Sequence, residues 1–206
     1  MSTIGKRIDE VAEPMFAALR DLGFRKRGQT ARRSRDAVTQ IVNLQKSGSN
    51  RGQTGRFTIN LAIFHSVLSN LVAWYPQGRS PGESEVAVQA RLGHLLPDAG
   101  DKWWTVGPRS DASRLGAEVT HAVLTYGVPW LDDHTELEAC LDRSVTHNAV
   151  VRAAMLVALD RKDDAVRLMA DDLLATTARA AAWLSLARRA GFEPQFKEVR
   201  ASTRRP

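Results

Sequence analysis

Three alternating segments hold side chains suited to binding rather than to bond-breaking. In residues 38–45, Val38, Val42 and Leu44 alternate with Thr39, Asn43 and Gln45. In residues 57–63, Phe57, Ile59, Leu61 and Ile63 alternate with Thr58, Asn60 and Ala62. In residues 85–92, Val86, Val88, Ala90 and Leu92 alternate with Ala87, Gln89 and Arg91. Period-two alternation is the mark of a strand with one buried face. Paired as an antiparallel meander, the three strands project Asn43, Gln45, Thr58, Asn60, Gln89 and Arg91 from one side. Amides both donate and accept, and a guanidinium fork matches carboxylate or phosphate, so this face can hold a small anion or a peptide. Trp103 or Trp104 can add a stacking wall, and alternation sends only one of the pair into the core. The competing reading is a plain solvated sheet face, or one covered by later helices.

A second set is electrostatic. The chain carries a net charge of +6 over 206 residues. The first sixty residues hold 12 Lys and Arg against 5 Asp and Glu, the next seventy 5 against 6, and the remainder 12 against 12. The excess gathers in Arg25, Lys26, Arg27, Arg32, Arg33 and Arg35. A basic hairpin there can track phosphates, which makes nucleic acid or a phosphate ligand the alternative partner. Arg outnumbers Lys 23 to 6, a bias that a GC-rich genome produces without any binding role.

Other reactive residue types lack the company their chemistry needs. His65, His94, His121, His134 and His147 are dispersed. Glu118 and His121 have the Glu-x-x-His spacing of carboxylate-bridged metal bundles, but a second copy and two more Glu are missing, so no metal site is expected. Cys140 shares an apolar helical stripe with Leu137 and Leu141 and reads as a small core residue. The Gly-rich stretch from Gly48 to Gly55 joins two strands and has no Gly-Lys-Ser/Thr after it, so a mobile hairpin tip fits better than a nucleotide loop. Asp132 and Asp133 read as helix caps. No catalytic residue and no cofactor is expected.

The elements that position these groups follow from periodicity. Ile8, Val11, Met15, Leu19 and Leu22 make a first helical stripe, capped by Ser2 or Thr3 and stopped at Gly23, with Phe24 folding back. Pro14 predicts a kink or a late start. Residues 30–35 read as a short strand, residues 102–106 as a last one, and residues 74–82 as an irregular loop. Leu115, Val119, Ala122, Val123 and Tyr126 define a helix capped by Ser110 and stopped by Gly127 and Pro129. Helices follow over residues 135–143, 147–160, 163–175 and 177–190, with short breaks that favour helical hairpins. Residues 155–174 resemble one tetratricopeptide-like unit, too few for a solenoid. The tail from Arg200 reads as frayed.

Taken in order, Gly23-Phe24-Arg25-Lys26-Arg27-Gly28, Val42-Asn43-Leu44-Gln45-Lys46-Ser47, Arg56-Phe57-Thr58-Ile59-Asn60-Leu61, Arg91-Leu92-Gly93 with Leu95-Leu96-Pro97, and Asp101-Lys102-Trp103-Trp104 resemble a bacterial domain family of unknown function over about residues 5–130. Family members often carry an aromatic residue where this chain has Ala31-Arg32-Arg33-Ser34. The resemblance implies a fold and no activity. By analogy with other small bacterial families, it suggests an immunity or accessory partner of a toxin.

The expected architecture is α+β. An N-terminal helix packs on an antiparallel meander of four to five strands over residues 1–130, and a helical extension over 131–206 packs on it. A single Cys excludes an internal disulfide framework. No run of about 18 apolar residues is present to span a membrane, and the N-terminus lacks a signal-peptide core, so the expected address is the cytoplasm. The expected role is a non-catalytic module binding a protein or a small anionic ligand on the polar sheet face. An enzyme acting on a small anion there is the third reading.

Overall fold

The computed structural model describes residues 3–77, 81–142 and 144–202. Ser2, residues 78–80 of the expected loop, Arg143 and the last four residues lie outside that set. The chain resolves into two compact units. The first contains residues 3–64, 82–84 and 89–135; the second contains residues 65–77 and 81, 85–88 and 136–202.

In the first unit, helix α1 spans Thr3–Asp21 and buries Ile4, Ile8, Val11, Met15 and Leu19. Leu22, the last residue of the expected stripe, is exposed instead, because α1 ends one residue before it. Gly23 takes φ +87°, and the Phe24 amide bonds the Leu19 carbonyl at 3.0 Å. That is a left-handed cap with Phe24 folded under it, as the sequence predicts. Pro14 does not break the helix.

Among the described residues, six strands form an antiparallel sheet. They are β1 (Arg25–Arg27), β2 (Thr30–Arg35), β3 (Val38–Lys46), β4 (Gly55–His65), β5 (Val88–Arg91) and β6 (Trp104–Val106). β1 to β5 lie in sequence order, and β6 also pairs with β4. The meander is therefore present, with β1 as a strand the periodicity did not reveal. One sheet face, carrying Val42, Leu44, Phe57, Ile59 and Leu61, is buried. Lys46 on that same side reaches α1, bonding the Gly5 carbonyl and pairing with Asp9 at 2.6 Å.

The β3–β4 connection is more ordered than a loose tip. Asn50 accepts from the Arg56 amide at 2.7 Å and donates to the Arg56 carbonyl at 2.9 Å. α2 (Ala112–Ala122) is capped by Asp111, which accepts from the Arg114 amide, while Ser110 bonds the Gly107 amide instead. The expected stop at Gly127 and Pro129 is corrected. The chain passes through a π turn, Val123–Gly127, into α3, Val128–Asp133. Pro129 has no N–H to offer the carbonyl four residues back, and the wider π turn absorbs the loss. Asp132 and Asp133 thus end a helix rather than begin one.

In the second unit, α4 (Ala149–Ala158), α5 (Lys162–Ala175), α6 (Ala180–Ala190) and α7 (Glu193–Ser202) follow short connections. Asn148 caps α4 through the Val150 and Val151 amides. Met155, Met169, Leu173, Trp183, Leu186 and Phe192 are buried. Residues 135–143 are expected as a helix; the described residues of that stretch, 135–142, contain only a short 3-10 turn at Ala139–Leu141. α7 went unpredicted because its residues bury little beyond Phe196.

Candidate functional site

The polar face of the sheet is built by register. Thr30 lies opposite Asn43, and Asn43 Nδ2 donates to Thr30 Oγ1 at 3.0 Å. Asn60 Nδ2 donates to Gln45 Oε1 at 2.8 Å, and Arg91 Nε donates to Asn60 Oδ1 at 3.4 Å. The amides and the guanidinium therefore share one side. Their capacity is partly spent on one another, and Asn43, Gln45 and Asn60 are only half-exposed. Ile41, Thr58 and Ala62 are on the same side by alternation and have no exposed surface. Thr58 donates to the Lys102 carbonyl at 2.9 Å. The centre of the face is thus not an open amide platform, and the most exposed groups of the face lie at its two margins.

One margin centres on Trp103. Arg91 ends β5, and the chain then turns through a 3-10 segment, Leu92–Leu95. Gly93 is needed there. A β-carbon on it would stand 2.5 Å from the Lys102 amide nitrogen, and the Gly93 carbonyl accepts from the Gly100 amide at 3.1 Å. This close crossing brings Asp101 and Trp103 back beside Arg91. Arg91 Nη1 pairs with Asp101 Oδ1, and Trp103 Nε1 donates to Asp101 Oδ2 at 3.1 Å. Those two bonds hold the Asp101 carboxyl below the ordinary carboxylate range, the Arg91 bond being the larger cause. The Arg91 and Arg56 guanidinium carbons lie 5.5 and 5.9 Å from the Trp103 ring centre. Gln89 is exposed nearby on β5.

Trp104 goes the other way, as alternation requires. It is buried, stacks on Phe57 with ring centres 5.8 Å apart, and donates to Glu118 Oε1 at 2.8 Å. It cannot wall a ligand on the polar face. Glu118 also lies 3.4 Å from Lys102, and His121 meets Thr125, so each half of the Glu-x-x-His pair has a structural partner.

The basic cluster divides between faces. Arg25 lies opposite Arg32 and Arg27 opposite Thr30, so by alternation Arg25, Arg27 and Arg32 share the polar face. These form the second margin; Arg25 and Arg27 are exposed and Arg32 half-exposed. Lys26 turns to α1, pairs with Glu13 at 2.6 Å and covers the Phe16 ring. Arg33 is buried at 7 % exposure and serves the fold. It bonds Gln40 Oε1 at 2.6 Å, the Leu22 carbonyl and the Asp132 carboxylate. Gln40 Nε2 in turn donates to the Leu131 carbonyl at 2.8 Å, tying α3 to the sheet. Burial lowers the Arg33 pKa, and Asp132 opposes the shift. Arg35, exposed, lies opposite Val38. The six-residue cluster is therefore not one continuous phosphate track.

Sequence reasoning missed Arg56 and Asp101. The signal was present in Asp101-Lys102-Trp103-Trp104, but an aspartate inside an irregular segment has no periodicity to announce it. In the second unit, Cys140 is fully buried, 3.6 Å from His65 Nε2, with its thiol pushed up to about 12 by burial. That is a core thiol, not an activated one. Among the described residues, no three His, Cys, Asp or Glu gather as a metal site, and no helix is long and apolar enough to cross a membrane.

No curated protein and no solved structure matches the chain. A family model described as a domain of unknown function, DUF4304, matches residues 15–133, which take in the C-terminal part of α1 from Met15 on, the six strands described and α2 to α3. The match ends two residues before the first unit does, so every residue of both polar margins lies within it, and the chain belongs to this family.

Proposed function

We propose that the first unit is a non-catalytic binding module that captures an acidic segment of another protein at the Arg56–Trp103–Arg91 margin. The observation that carries this reading is the donor set itself. Arg91 Nη1 and Trp103 Nε1 converge on one carboxylate, with a second guanidinium beside the same ring. A planar fork plus an indole N–H suits Asp and Glu side chains. Five guanidinium groups (Arg25, Arg27, Arg32, Arg56 and Arg91) share the face, which steers acidic partners toward it. Stoichiometric capture of an acidic protein is how an immunity or accessory protein would use such a surface.

A nucleic acid fits less well. Lys26 and Arg33 are committed to Glu13 and Asp132, and the face between the margins is largely covered. The test is calorimetric titration of a blocked hexaglutamate peptide and of a single-stranded oligonucleotide at low salt. The reading expects peptide binding that is lost in Arg91→Gln and Arg56→Gln. Oligonucleotide binding with no peptide binding would replace it.

A further inference from the structure

Asp101 occupies the donors that would receive a ligand carboxylate. It is highly exposed, with 52 % of its side chain open, so burial does not explain its placement. It belongs to a stretch, residues 96–103, without helix or strand. The Gly93 crossing brings that stretch back to the end of β5. Both carboxylate oxygens are engaged, Oδ1 by Arg91 and Oδ2 by Trp103. The arrangement is that of a bound acidic side chain, except that the acid comes from the same chain.

Resting on the reading above, we infer that Asp101 is a built-in competitor: an acidic side chain of the partner binds by displacing the Asp101 carboxylate from Arg91 Nη1 and Trp103 Nε1. The ligand class follows from the resident group, a planar carboxylate carried on a peptide. Asn60 keeps Arg91 in place during the exchange, because it bonds Nε and leaves the end of the fork free to change partners. The Trp103 ring, its centre 5.5 and 5.9 Å from the Arg91 and Arg56 guanidinium carbons, supplies a fixed floor. Displacement lowers apparent affinity by the fraction of molecules in which Asp101 is off its donors. It also confers selectivity, since a ligand must offer a carboxylate at least as well placed as the internal one.

The experiment removes the competitor and keeps the shape. Asp101→Asn cannot form the ion pair, and an exposed pair of this kind holds back up to about fivefold in affinity. Calorimetry with blocked hexaglutamate should show Asp101→Asn binding tighter than the unaltered protein, by up to about fivefold, and Asp101→Asn combined with Arg91→Gln not binding. Asp101→Ser gives the same gain if its side chain acts as a competitor and not as a brace. Trp103→Phe identifies the Trp103 share of the fluorescence change on peptide addition. If the unaltered protein binds the peptide and both Asp101 variants bind equally or more weakly, the competitor role is wrong while the acidic-segment reading stands. If none of the proteins binds the peptide, both fall.

Discussion

Arg25 lies directly opposite Arg32 across the β1–β2 pair. Like charges at directly opposed positions destabilise an antiparallel pair by a fraction of a kcal/mol to about 1 kcal/mol. Arg27, two residues along on the same side, adds to the repulsion. The chain thus keeps like charges directly opposed on its own sheet. Arg25→Thr should raise stability by about 0.5 kcal/mol, since Thr also suits an exposed strand position. Urea unfolding reads this directly. The same variant should weaken hexaglutamate binding modestly, through loss of steering. A variant less stable than the unaltered protein would mean that Arg25 is chiefly a structural residue.

The crossing at Gly93 should be intolerant of any side chain. Gly93→Ala forces the Lys102 backbone aside, at a cost of about 1–3 kcal/mol for overpacking. It should also release Asp101 and Trp103 from Arg91, visible as a shift in tryptophan emission of the folded protein. Gly55→Ala offers a contrast. Its new β-carbon would stand 2.6 Å from one side-chain atom, Ile4 Cγ1, whereas at Gly93 two backbone atoms stand at 2.4 and 2.5 Å. It should cost less than Gly93→Ala, and the reverse order in thermal unfolding would contradict the backbone-crossing argument.

How far the sequence could be read depended on whether a residue's role is periodic. The α1 stripe from Ile8 to Leu19 and the alternation in β3 and β4 are repeated signals, and the structure bears out both. Gly23 with Phe24 was legible because a left-handed cap leaves a two-residue signature. β1 escaped because Arg-Lys-Arg has no apolar alternation, and its strand character comes from pairing with β2. Asn60 and Arg91 were readable as one row, but nothing local indicated that Asp101, ten residues beyond Arg91, would return to complete it. Arg33 was misread for the same kind of reason: its partner Asp132 is 99 residues away.

Arg33 therefore separates charge from structure. Arg33→Met removes the donor that Gln40 and Asp132 share and should cost about 2 kcal/mol, less than a fully buried pair because Asp132 is half-exposed. Peptide affinity at the Trp103 margin should be unchanged in the folded fraction. Retained stability together with lost affinity for acidic peptide would return Arg33 to the binding surface.

Cys140 gives a probe of the second unit. Its thiol is fully buried and pushed up to about 12, so the reactive thiolate is scarce at pH 8. A maleimide should leave the native protein unlabelled over a period in which the urea-unfolded chain reacts completely. Rapid native labelling would show that the segment carrying Cys140 opens without global unfolding.

Asp172 supplies the acid-sensitive contact of the same unit. Its carboxylate pairs with Arg179 and accepts the indole N–H of fully buried Trp183 at 2.7 Å. The bond from Arg179, and after it the one from Trp183, hold its carboxyl below the ordinary range despite partial burial. Because the folded-state pKa is the lower one, the stabilisation is complete above the unfolded value near about pH 4 and disappears as pH falls through the folded value. Asp172→Asn removes the charge and keeps an acceptor for Trp183, so the expected loss at pH 7 is about 1 kcal/mol. The decisive readout is the gap between the two proteins as a function of pH. It should narrow as pH falls below about 4 and close only below the lower folded-state value, where the native carboxyl is protonated as well. A gap that persists unchanged to pH 2 would mean that shape, rather than ionisation, makes Asp172 matter.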